Sequence, residues 1–147
     1  MEPANEEVHD SAKLHVTGKA TYTDDIKLPN DTLHLAFGIS TIAKGSIESI
    51  DLSDVKKSDG VVTVITAEDL KYKNDTSPSV ADEPLLSEGL IHFLGQPIFL
   101  VVAETHLKAR KAALLGKISY LEKEPILTIN EAIIANSKLA DECCIYK

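Results

Sequence analysis

Residues 97–103 read Pro-Ile-Phe-Leu-Val-Val-Ala, an apolar run with no interruption. Such a run cannot lie half-exposed on a surface, where a strand alternates apolar and polar residues. It reads as an interior strand over 98–103, with both of its faces covered. Pro97 has no amide hydrogen and forces Gln96 into an extended shape, which marks it as the first residue of a strand. The following residues, 104–117, have Ala109, Ala112, Ala113 and Gly116 at helical spacing. That stripe of small side chains predicts a helix whose axis lies close against the sheet, where added bulk is costly. A further strand over 118–121 completes a strand–helix–strand unit. A right-handed crossover then predicts parallel placement of its two strands in one sheet.

The rest of the chain supplies partners for this strand. Leu33, Leu35, Phe37 and Ile39 alternate with small or polar residues, which predicts a strand over 33–39. Residues 46–52 alternate less regularly and predict another, with one helical turn over 52–57. Asp59-Gly60 is a turn signal leading into the β-branched strand 61–65. Thr66 with Asp69 three residues on offers a helix start for 67–70. Residues 91–94 predict a strand split from 98–103 by Gly95-Gln96-Pro97. Thr128 and Glu131 form a capping box that opens a helix from Ile129 to about Asn136. Residues 21–31, with Asp24, Asp25, Pro29, Asn30 and Asp31, carry turn chemistry. Residues 71–89 form a long polar, proline-bearing loop with room for a brief strand near Leu85. A loop of that length is usually functional or an interface segment. The expected fold class is α+β, about six strands and three helices in one domain over 12–136. A flexible segment over 1–11 precedes it and a tail over 137–147 follows it.

Composition narrows the partners. The 147 residues carry a net charge of -8, with 26% charged residues. A negative surface argues against phosphate backbones and anionic membranes, so neither nucleic acid nor a membrane is an expected partner. The apolar run at 97–103 is too short to span a bilayer. The acidic start, 1–10, lacks the apolar core of a secretory signal, so the expected location is cytoplasmic. Cys143 and Cys144 are the only cysteines. Neighbouring cysteines rarely pair, and they read as free thiols in a reducing compartment.

No active site assembles from these residues. His9, His15, His34, His92 and His106 share no metal-ligand spacing with one another or with a cysteine. Asp24 and Asp25 are adjacent, so on an extended chain they point apart; a turn or cap role outweighs a shared-proton pair. The seven glycines form neither GxGxxG nor a P-loop. The local element with most to offer is Gly95-Gln96-Pro97. The glycine permits close backbone approach, the proline sets direction, and the amide of Gln96 both donates and accepts. It is either a strand-entry kink, the simpler reading, or an interface to another domain or a cofactor.

Several segments nonetheless have a familiar wording. HDSAKLHVTGKA over 9–20 continues into YTDDI over 22–26 and LHLAFGIS over 33–40. TAEDL over 66–70, GQPI over 95–98 and VAET over 102–105 follow in order. Together these resemble the amino-terminal domain of the molybdenum-binding part of the xanthine dehydrogenase and aldehyde oxidase family, over about residues 10–136. The resemblance implies an α/β hammerhead fold. It also implies a place in an enzyme that hydroxylates a carbon next to a ring nitrogen, as in hypoxanthine to xanthine to urate, with electrons passing to NAD. The cofactors it implies are a molybdenum–molybdopterin in the full subunit, with iron–sulfur clusters and FAD in the full enzyme. Its partners are then the remaining molybdopterin-binding domains and the iron–sulfur and flavin subunit. The family's metal-site glutamine, cofactor loops, substrate arginine and catalytic glutamate lie further along the subunit. No residue here takes a catalytic, cofactor or metal role by resemblance, and the chain alone is expected to be inactive. It reads as a fragment, with a free-standing scaffold domain, or the same domain of an aldehyde oxidase-type enzyme, as the rivals.

Overall fold

A computed structural model describes residues 9–79 and 81–137. Cys143, Cys144 and most of the expected flexible start and tail lie outside the described residues. Packing divides the chain into two compact units, Met1–Thr32 and Leu33–Lys147.

In the first unit a short helix, α1 (Ala12–Val16), is followed by a 3-10 turn at Thr23–Asp25. The Asp25 carboxylate accepts the Tyr22 backbone amide at 2.9 Å, so it closes the turn. This is the cap role that its position in a turn-rich segment implies. His15 and the Tyr22 hydroxyl share a hydrogen bond of 2.7 Å.

The second unit holds two three-stranded sheets, and every pairing in them is antiparallel. The first is built from β1 (His34–Ile39), β3 (Val61–Thr66) and β5 (Pro97–Ala103), in the order β1-β5-β3. The second is built from β2 (Gly45–Asp51), β4 (Leu90–Ile91) and β6 (Lys117–Glu122), in the order β4-β2-β6. The helices are α2 (Ser53–Lys56), α3 (His106–Ala113) and α4 (Ile129–Ile134). A 3-10 turn at Ala67–Asp69 follows β3, with the Asp69 carboxylate accepting both the amide and the hydroxyl of Thr66 at 2.8 Å.

The uninterrupted apolar run becomes the central strand of its sheet. Phe99, Val101 and Ala103 are buried, and the buried Ala109 and Ala112 belong to the helix packed on this strand. Phe99 is the largest fully buried side chain. The tip of its ring occupies the space where Gly38 and Gly116 lack a Cβ. The small-residue face thus has the predicted use: it lets α3 and β1 close on β5. Cover on the opposite face is incomplete, because Leu100 is half-buried and β1 beside it is exposed.

The crossover expectation fails. Strands β5 and β6 flank α3 in the chain, but they belong to different sheets and are not parallel neighbours. The handedness rule applies only when both strands share a sheet. Here β6 pairs with β2, aligning Tyr120 with Ile47 and Ile118 with Ile50. Three element limits also differ. The 91–94 strand shrinks to Leu90–Ile91, because Gly95 takes a φ of +86° and turns the chain. Helix α3 ends at Ala113, and α4 stops ahead of Asn136, whose φ of 49° is left-handed. No strand forms near Leu85 among the described residues.

Candidate functional site

The turn that carries Gly95, Gln96 and Pro97 is braced from within. Gln96 is 3% exposed. Its Oε1 accepts the His92 amide at 2.7 Å and its Nε2 donates to the Leu90 carbonyl at 3.2 Å. The backbone is tied to Ser40 on both sides: Ser40 N donates to the Gln96 carbonyl at 2.9 Å, and Gly95 N to the Ser40 carbonyl at 3.0 Å. The oxygen and the nitrogen of the Gln96 side-chain amide are thus each engaged in shaping the entry to β5. What the turn offers outward is Phe93 and Leu94, both exposed.

The loop over 71–89 is organised by one side chain. Asn74 Nδ2 donates to the Leu86 carbonyl at 2.6 Å, and Leu86 N donates to Asn74 Oδ1 at 3.0 Å. The side-chain amide mimics a strand partner and pins the buried Leu86. At the base of the loop, Ser77 and Lys73 converge on Asp75. Hydrogen bonds from the Ser77 hydroxyl first, and then from Lys73, hold the Asp75 carboxyl down at about 2.

A groove of about 1000 Å³ runs between β2, α2, the end of β3 and residues 87–89. Its walls carry Asp51, Glu68, Asp69 and Glu88 against Lys56. Three of these carboxylates are committed to structure. Asp51 accepts the Ser53 amide at 2.9 Å, Asp69 caps its turn, and Glu88 accepts from Asn74 at 3.0 Å. Hydrogen bonds from Ser53 and from Thr66 lower the carboxyls of Asp51 and Asp69, respectively. An acidic wall of this kind repels a phosphate-bearing pterin. Among the described residues no three His, Cys, Asp or Glu side chains converge to hold a metal. The nearest histidine pairs, His9 with His15 and His34 with His106, have ring centroids 6.3 and 6.4 Å apart. Among the described residues, those present do not fit a molybdenum–pterin cofactor.

The alternation over 33–39 does not reveal which way its side chains point, and the strand is inverted relative to residue size. β1 turns Ala36 and Gly38 inward and leaves Leu35, Phe37 and Ile39 at 54%, 46% and 52% exposure. α4 likewise buries nothing, and Leu127, Ile129, Ile133 and Ile134 are open around it. The described unit thus has polar side chains committed to its turns and apolar side chains left exposed.

Residues 17–124 match the family model described as "Aldehyde oxidase and xanthine dehydrogenase, a/b hammerhead domain". The chain belongs to this hammerhead family. Among similar proteins, Xanthine dehydrogenase 1 of Arabidopsis thaliana is 44% identical over 131 residues, 89% of this chain and 10% of the relative. Aldehyde oxidase 1 of Macaca fascicularis is 41% identical over 131 residues, 88% of this chain and 10% of the relative. The solved aldehyde oxidoreductase of Desulfovibrio desulfuricans superposes with a TM-score of 0.76 at 30% identity, covering 90% of this chain and 16% of that one. The hammerhead therefore spans about a tenth of the length of the curated relatives it matches.

Proposed function

We propose that this hammerhead serves as a supporting domain of a xanthine dehydrogenase-type molybdenum hydroxylase. In that enzyme hypoxanthine and xanthine are hydroxylated to urate and electrons reach NAD, which places it in purine metabolism in the cytoplasm. Molybdopterin, iron–sulfur clusters and FAD are held by other domains or subunits. Residues 12–136 are the domain proper, with 1–11 and 137–147 as connecting segments. The turn at Gly95, Gln96 and Pro97 meets a neighbouring domain through Phe93 and Leu94, and the 71–89 loop is a second contact. In this role the chain supplies shape and apolar surface, and it does no chemistry alone.

One observation supports this reading most: identity of 42–44% to xanthine dehydrogenases across nearly nine-tenths of the chain. An aldehyde-oxidising enzyme is the second reading, favoured by the likeness to the solved aldehyde oxidoreductases. Purifying the native polypeptide with an antibody raised against this chain separates the two. The expected product is much longer than 147 residues, contains molybdenum and forms urate from xanthine with reduction of NAD. Aldehyde turnover without urate would favour the second reading. A native product of 147 residues with no associated molybdenum protein would contradict both and leave a scaffold domain.

A further inference from the structure

The two sheets treat their outer surfaces differently. The second carries Glu48 and Asp51 on β2 and Lys117 and Glu122 on β6. Charges of this kind keep a solvent-facing sheet from pairing with other chains. The first sheet has none: no Asp, Glu, Lys or Arg occurs in β1, β3 or β5, in a chain that is 26% charged. Register places Leu35 opposite Val102 opposite Thr63, and Phe37 opposite Leu100 opposite Ile65. On the side away from Phe99 an uncharged surface crosses the three strands; Val102 at its centre is buried, and its open apolar part is the β1 edge of Leu35, Phe37 and Ile39 beside the half-buried Leu100 and Ile65.

The β1 edge of this surface is only partly used by its own unit. The inner side of β1 already does the packing, through Ala36 and Gly38. Leu35, Phe37 and Ile39 remain about half exposed, so half of the apolar surface of each is left uncovered within the described residues. We infer that this face is a permanent docking surface. Its occupant is an uncharged apolar protein surface from the enzyme's remaining domains. The absence of charge across the patch matches the desolvated core of an obligate interface rather than a transient, polar one. The length of the relatives favours this occupant over a second copy of the chain: nine-tenths of each lies outside the matched segment. The inference rests on the proposed function and adds the surface through which it is exercised.

The test is a chimera of Arabidopsis thaliana xanthine dehydrogenase 1 in which this chain replaces the matching 131 residues. Leu35→Glu and Phe37→Glu are introduced together, with Glu48→Lys on the charged sheet as the control. A carboxylate buried without a partner opens the interface, so trypsin should release the domain from the double variant at least about ten-fold faster than from the parent. The control should match the parent. In the 147-residue chain the same pair of substitutions should lower the thermal midpoint by only a few degrees, since both side chains are about half exposed there. Equal trypsin rates for parent and double variant would overturn the docking face alone. Loss of cooperative unfolding in the isolated chain would place these residues in its own core and also overturn it. A dimer of the isolated chain that the substitutions dissociate would give the face to a second copy and overturn the occupant. A parent chimera that does not assemble would strike the proposed function itself and this inference with it.

Discussion

Replacing Gly38 by Ala tests how the second unit is packed. A Cβ at Gly116 would stand 2.6 Å from Phe99 Cζ and 2.8 Å from Cε1, and at Gly38 the approach is closer still. Ordinary contact begins at 3.4 Å, so either methyl intrudes by about 0.8 Å or more. The ring cannot withdraw, because Phe99 is 1% exposed and is packed within the buried cluster of Leu52, Val55, Val64 and Val101. Overpacking of this kind costs about 1–3 kcal/mol. The alanine recovers about 0.4–1 kcal/mol by restricting the unfolded chain. The net loss for Gly38→Ala is then about 1–2 kcal/mol, or roughly 2–8 °C in the thermal midpoint. Phe99→Leu removes the ring tip and costs about 1–2 kcal/mol alone as a partial large-to-small change. In that background Gly38→Ala should cost less than about 0.5 kcal/mol. Urea unfolding followed by circular dichroism on the four proteins of the cycle gives the coupling directly. Additive costs within about 0.5 kcal/mol, or a Gly38→Ala protein more stable than the parent, would refute the argument.

Asn74→Ala should cost about 1–3 kcal/mol in the same urea assay, because it leaves the backbone amide and carbonyl of the buried Leu86 without their partner; amide exchange at Leu86 should quicken. The Asp75 carboxyl is held at about 2, below its usual value, so it favours the folded state fully above about pH 4. That contribution is lost as pH falls through the folded value, between about pH 4 and 2. The urea midpoint should therefore fall less steeply over that interval in Asp75→Asn than in the parent; identical slopes would show that Ser77 and Lys73 do not matter to stability.

Much of this architecture was legible because apolar runs and small-residue stripes state what they need. The segment 98–103 has no polar residue to present to water, and it became the central strand. Ala109, Ala112 and Gly116 announced close approach, and the ring of Phe99 fills the space that Gly116 leaves. The capping box at Thr128 likewise appears as drawn, with Glu131 N donating to the Thr128 hydroxyl at 3.2 Å. Alternation in 33–39 was also plain, yet it fixes a period and not a direction. Size suggests that Leu35 and Phe37 point inward. The space beneath β1 is already taken by Phe99, so only Ala36 and Gly38 fit there. The separation of β5 from β6 was hidden for a related reason: the connection over 104–117 looks the same whether the chain returns to its sheet or leaves it. Gln96 drew attention for the right property, a side chain that donates and accepts, but both capacities are used on Leu90 and His92, a pairing that only the turn at Gly95 creates.

The central claim is that this hammerhead supports chemistry done elsewhere. Metal analysis of the purified 147-residue chain, after expression in cells that make molybdopterin, tests it most directly. The expected result is molybdenum and pterin at background level and no urate from xanthine. About one molybdenum per chain, retained through gel filtration together with a pterin, would contradict it.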